Sequence, residues 1–145
     1  MNFNKQSNIA RQFVQAIPFS AELSMSVDLI ENGFAIMSMP YDTRLIGNSD
    51  TAIIHGGAVT ALLDTCSGAA VMSHSAAPLI TSTLDFRMDY MRSATPKHRI
   101  TANAECYHVT RSVAFVRATA YDEDEARPVA TAAGAFTVQF KSTAK

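Results

Sequence analysis

Several things are scarce in this 145-residue chain. Cysteine occurs twice, at Cys66 and Cys106, too little for a disulfide framework. One lies in an apolar segment and the other in an alternating, strand-like stretch, so both are expected as small core residues. The net charge is only −1, which gives a nucleic-acid partner no global electrostatic support. No apolar run reaches membrane-spanning length without interruption; the most apolar window, near 53 to 72, carries Asp64 as well as Gly, Ser and Thr. The start, "MNFNKQSNIARQF", lacks the apolar stretch of a secretory signal. A cytoplasmic protein with no nucleic-acid and no membrane partner is the expectation. No internal repeat, linker or low-complexity tract is visible. His74, His98 and His108 lack metal-ligand spacing with carboxylates or thiols, so no metal site is expected. No Gly-x-Ser-x-Gly elbow or Cys–His pair marks a covalent esterase.

What is present suits one domain over residues 1–145. Hydrophobic residues make up 48% and charged residues 17%, an ordinary globular balance. Ile9, Phe13 and Ile17, spaced by four, predict an amphipathic N-terminal helix within 1–18, stopped by Pro18. Residues 22 to 40 read as a hairpin turning at "ENG". A polar loop, "PYDTRLIGNSD", then leads to a helix over 56–75 whose apolar residues cover nearly every face, the mark of a buried helix. Strand signals follow at 81–91, 100–108, 113–121 and 128–140, with "DEDE" at 122–125 as an acidic turn. In the first of these, alternation puts Leu84, Phe86, Met88 and Tyr90 on one face and Thr83, Asp85, Arg87 and Asp89 on the other. Consecutive strands with short turns imply an antiparallel sheet, hence an α+β fold with the sheet wrapped around one long helix.

The long helix poses a chemical question, because burying an unpartnered carboxylate costs several kcal/mol. Asp64 is either capped by a hydroxyl such as Thr60 or Ser67, or faces a cleft as a base toward water. The helix also begins His55-Gly56-Gly57. Two glycines there leave backbone N–H groups uncovered, at the positive end of the helix dipole, where they suit a polarised carbonyl or an oxyanion. Asp64 lies eight residues beyond Gly56, ~12 Å along a helix axis, whereas both groups must come within ~3 Å of one reacting centre. Two antiparallel helices across a two-fold axis could supply both groups, which predicts a homodimer.

"HGGAVTALLD" at 55–64, "TLDFRMDYMRSA" at 83–94 and "ARPVATAAGAF" near the end together resemble the hotdog-fold acyl-CoA thioesterases of the PaaI type (phenylacetate-pathway thioesterase-like), over roughly residues 20 to 140. The resemblance implies a hotdog dimer, commonly paired into a homotetramer. It also implies hydrolysis of an acyl- or aryl-CoA thioester with no cofactor. Asp64 would be the general base or nucleophile, and the Gly56 N–H, helped by Gly57, would polarise the carbonyl. His55 would orient the loop or meet the thioester end. Thr83, or its neighbour Ser82, would help hold the attacking water. Where relatives often carry Asn, six residues before the His, this chain has Ser49, with Asn48 one earlier; Ala52 and Thr110 also replace common glycines. Arg92, Lys97, Arg99 and Arg111 are candidates for the CoA phosphates, Arg92 and Arg111 foremost. Leu62, Leu63, Met72 and Phe86 are candidates for the acyl pocket. A non-catalytic acyl-CoA or acyl-carrier-protein binding module and a hydratase or dehydratase on the same fold are the alternatives.

Overall fold

The computed structural model describes residues 3–142. Its elements are α1 (Phe3–Gln15), α2 (Pro18–Glu22), β1 (Ser26–Glu31), β2 (Phe34–Met39), β3 (Ile46–Asn48), β4 (Ile53–Ile54), α3 (Gly56–Ser73), β5 (Ile80–Tyr90), β6 (Ile100–Val109), β7 (Val113–Tyr121) and β8 (Ala130–Gln139). The N-terminal helix ends at Gln15 rather than at the proline. Ile17 then caps α2 and Pro18 takes its first turn, where a missing N–H costs nothing. The loop before α3 is not plain coil: a 3₁₀ turn at Thr43–Leu45 and the small β3–β4 hairpin occupy it.

Six strands form one antiparallel sheet in the order β1-β2-β6-β7-β8-β5. Asn32 and Gly33 both take positive φ at the first turn (27° and 82°), as a tight hairpin requires. The inner face alternates cleanly. Ala35, Met37 and Met39 of β2, Ala102 and Ala104 of β6, and Ala114, Val116 and Ala118 of β7 are all buried. These inward positions are largely alanine, so the backbone of α3 can lie close over the sheet. α1 covers the opposite side of α3, which explains why a helix apolar all round is stable here. Leu62, Leu63, Cys66, Ala69 and Val71 are 0% exposed. Both cysteines are buried free thiols as expected; burial drives the Cys66 thiol far up and pushes Cys106 up to about 11.

The simple alternation expected for β5 fails at one residue. Thr83 pairs with Phe136 and Asp85 with Ala135, so Leu84 is an extra, bulged residue. Gly134 makes room for the bulge: a Cβ there would lie 2.6 Å from the Phe86 ring and 2.7 Å from the Asp85 carbonyl. The consequence is a switch of faces. Leu84 turns outward, 58% exposed, and Thr83 joins Thr81, Phe86 and Met88 on the side of α3.

The acidic turn after β7 also proves to be more than a turn. Asp122 is 4% exposed, and its carboxylate accepts both terminal nitrogens of Arg92 at 2.8 Å, together with the N–H groups of Thr95 and Asp124 at 3.0 Å. The guanidinium beside it holds this carboxyl far below the usual carboxylate range. A depressed carboxyl pKa adds stability that is complete above the unfolded value of about 3.9 and is lost as pH falls below it. Asp122→Ala strands a mostly buried guanidinium, and the expected cost is roughly 3 kcal/mol. A urea titration at pH 7 measures it, and the native–variant gap should narrow below pH 4.

Candidate active site

α3 starts at the mouth of the loop bearing β3 and β4. His55 caps it: its backbone is extended (φ −60°, ψ 134°), its own N–H donates to the Leu45 carbonyl at 2.8 Å, and its Nδ1 accepts the Gly57 N–H at 2.8 Å. Accepting that bond requires a lone pair on Nδ1, so the proton of the neutral ring sits on Nε2, at an exposed position. The Gly57 N–H is therefore taken, contrary to a shared role with Gly56. The Gly56 N–H has no hydrogen-bond partner among the described residues.

Tyr90 completes this end and was not singled out from the sequence. Its ring lies on Gly56, where a Cβ would come within 3.0 Å of it. Its hydroxyl donates to the Gly56 carbonyl at 2.9 Å and touches the Thr60 hydroxyl, which itself donates to that carbonyl at 3.2 Å. Thr60 thus serves the helix start rather than Asp64.

Two turns further on, Asp64 is half-buried and faces a cleft of about 530 Å³. Thr83 donates its hydroxyl proton to Asp64 Oδ1 at 2.8 Å. That contact exists because the β5 bulge brings Thr83 round to the helix. Asp64 Oδ2 has no protein partner among the described residues, and the Thr83 oxygen keeps lone pairs free. Gly57, Ser82 and Phe86 line the same cleft, with Phe13 and Ile17 from α1 and the segment after it. Leu62, Leu63 and Met72 do not line it; they sit in the core, on the faces of α3 turned to the sheet and α1. The remaining candidates lie apart. Asn48 and Ser49 are exposed in the β3–β4 hairpin, where Asn48 Oδ1 caps the Asp50 N–H at 2.9 Å. Arg111 is exposed at the β6–β7 turn, without an ion pair among the described residues. Arg92 is committed to Asp122 and to the Arg127 carbonyl.

Gly56 and Asp64 of one chain therefore open on different sides. Gly56 lines a separate cleft of about 400 Å³ with Tyr90, Met91 and Arg92, while Asp64 lines the larger one.

An antiparallel six-stranded sheet wrapped around one long helix is the hotdog architecture. Residues 51–129 match the family model of the thioesterase superfamily. The chain belongs to that superfamily and is a thioester hydrolase. It is 25% identical over 130 residues to the medium/long-chain acyl-CoA thioesterase YigI of Salmonella typhimurium, covering 81% of this chain and 83% of that protein. It is 35% identical to a protein of Pseudomonas aeruginosa of known crystal structure, with a TM-score of 0.80 over 91% of this chain and 98% of that one. The PaaI protein of the Escherichia coli phenylacetic acid degradation operon shares the fold at 19% identity, with a TM-score of 0.84 and coverage of 94% and 95%.

Proposed function

We propose that this chain hydrolyses an acyl- or aryl-CoA thioester to the free acid and CoA, in a site shared by two copies. The observation that carries the reading is the Thr83–Asp64 hydrogen bond, which fixes a half-buried carboxylate at a largely apolar cleft with one oxygen uncommitted. In the proposed step, water held by Asp64 and the Thr83 oxygen attacks the thioester carbon as its proton passes to Asp64. The carbonyl oxygen gathers the negative charge, and the Gly56 N–H of the partner subunit stabilises it. Collapse of the intermediate breaks the C–S bond, and the thiolate takes the proton back from Asp64. His55, exposed with Nε2–H uncommitted among the described residues, would meet the thioester end. Arg111, free and exposed, is the better candidate for a CoA phosphate, since Arg92 is occupied by Asp122. Asn48, Ser49 and Ser82 would border the path of the substrate. Support for CoA as the carrier comes from the acyl-CoA activity of YigI.

The pairing follows from β5. It is an edge strand of 11 residues that exposes Ile80 (56%), Leu84 (58%) and Tyr90 (55%), a row of open backbone groups flanked by apolar side chains. Antiparallel pairing of two β5 strands about a two-fold axis would join both sheets. It would also carry the Tyr90–Gly56 end of one copy toward the Thr83–Asp64 end of the other. Two such dimers would pair into a tetramer. Thiol release from a panel of aryl- and aliphatic acyl-CoAs tests the activity, and light scattering tests the assembly. A mass of twice or four times 15.7 kDa is expected. Leu84→Asp should yield a folded monomer with little turnover; a fully active monomer would overturn the shared site.

A further inference from the structure

The Asp64 cleft has a neighbour. A second cleft, about 440 Å³, is bordered by Ile9, Ser73, Leu79 and Phe140, with Lys5 and Lys141 at its rim. The two clefts share three walls taken in the same order. On α1, Ile9 belongs to the second cleft and Phe13 to the first. On α3, Ser73 belongs to the second and Asp64 to the first. On the sheet edge, Leu79 and Phe140 border the second, Thr81 and Phe136 the first. They are successive parts of one groove that runs between α1, α3 and the β5–β8 edge. Asp64 and Ser73 are nine residues apart, ~13 Å along the helix.

Two aromatic side chains divide the groove. Gly68 lies between the two clefts on α3 and borders neither. A Cβ built there would lie 3.4 Å from the Phe13 ring and 3.8 Å from the Phe136 ring. The Phe13 ring therefore rests on bare helix backbone, and Phe136 closes the gap from the sheet side. Phe136 is 2% exposed and fixed in the core, so Phe13, only half-buried, is the part of the partition able to give way.

We propose that Phe13 sets the acyl-length limit of this enzyme. The inference rests on the active-site reading above, with the thioester carbonyl at Asp64. From there the acyl group runs one helical turn, ~6 Å, before it meets the ring over Gly68. That depth suits an aryl ring or a short aliphatic chain. A longer chain must displace Phe13 to place its distal methylenes against Ile9, Leu79 and Phe140.

The test compares hexanoyl-, decanoyl- and palmitoyl-CoA with the native enzyme, Phe13→Ala and the milder Phe13→Leu. Native kcat/KM should fall from hexanoyl to palmitoyl. Phe13→Ala should raise the palmitoyl-to-hexanoyl ratio by about tenfold or more, and Phe13→Leu by less. If Phe13→Ala loses its cooperative melt, the ratio in Phe13→Leu decides. A native profile that is flat with chain length, or a ratio unmoved in a folded variant, overturns the proposal while leaving the hydrolytic site intact. Failure of the native protein to release thiol from any of the three, or from an aryl-CoA, overturns the active-site reading itself.

Discussion

Asp64→Asn is expected to lower kcat on the best acyl-CoA by roughly 10²–10⁴-fold, the usual contribution of a positioned general base. KM and the melting temperature should stay close to native. The substitution is isosteric, and the amide oxygen still accepts the Thr83 hydroxyl that Asp64 Oδ1 accepts at 2.8 Å. What it removes is the basic oxygen facing the cleft. The loss should therefore fall on kcat and kcat/KM alike, the pattern of an interaction made in the transition state. A purely structural Asp64 would behave otherwise, with a lower melting temperature and turnover per folded molecule near native. Thr83→Ala should do less, because the carboxylate remains but is no longer held. The readout is thiol release under saturating and limiting substrate, with thermal melts on the same preparations. Near-native turnover by Asp64→Asn would end the proposed mechanism.

The site was legible in the sequence where its signal is local. A charge inside an apolar helix that begins His-Gly-Gly, eight residues beyond Gly56, singles out Asp64 and Gly56 as candidates without any knowledge of tertiary contacts. The stripe Ile9, Phe13, Ile17 likewise announces α1, although not that it walls a cleft. What the sequence hid depends on pairing across long separations. The facing of Thr83 hinges on a bulge whose room comes from Gly134, some fifty residues later. Period-two alternation cannot register such an insertion, so it placed Leu84 on the face of Phe86 and Thr83 on the opposite one. Arg92 looked free because its partner, Asp122, stands thirty residues away in what reads as a solvated acidic turn. Leu62, Leu63 and Met72 looked like pocket residues because an all-apolar helix gives no hint of which face meets a cleft. Here that face is the one with the smaller and more polar side chains, Thr60, Ala61, Asp64 and Thr65. Tyr90 went unnoticed for a related reason: its role is a hydrogen bond to a backbone carbonyl, which leaves no motif.

Gly56→Pro is expected to cost roughly 10²–10³-fold in kcat, the usual effect of deleting one oxyanion donor. The position accepts proline unusually well. Gly56 is the first residue of α3, where proline's fixed φ suits the helix and the lost N–H has no partner among the described residues. His55 before it already has the extended backbone that a following proline demands (φ −60°, ψ 134°). The new ring carbons would press on Tyr90, whose ring lies 3.0 Å from the Cβ position but is 55% exposed and able to shift. Gly56→Ala adds the same Cβ and keeps the N–H, so the difference between the two variants isolates the donor. Co-expression then decides where the donor acts. In a random mixture of Gly56→Pro and Asp64→Asn chains, half the dimers are mixed. Each mixed dimer holds one site with both an intact Asp64 and an intact Gly56 N–H, so roughly a quarter of native activity should return. A site built within one chain has no such rescue: every site would keep one defect, and the mixture would be as inactive as its components.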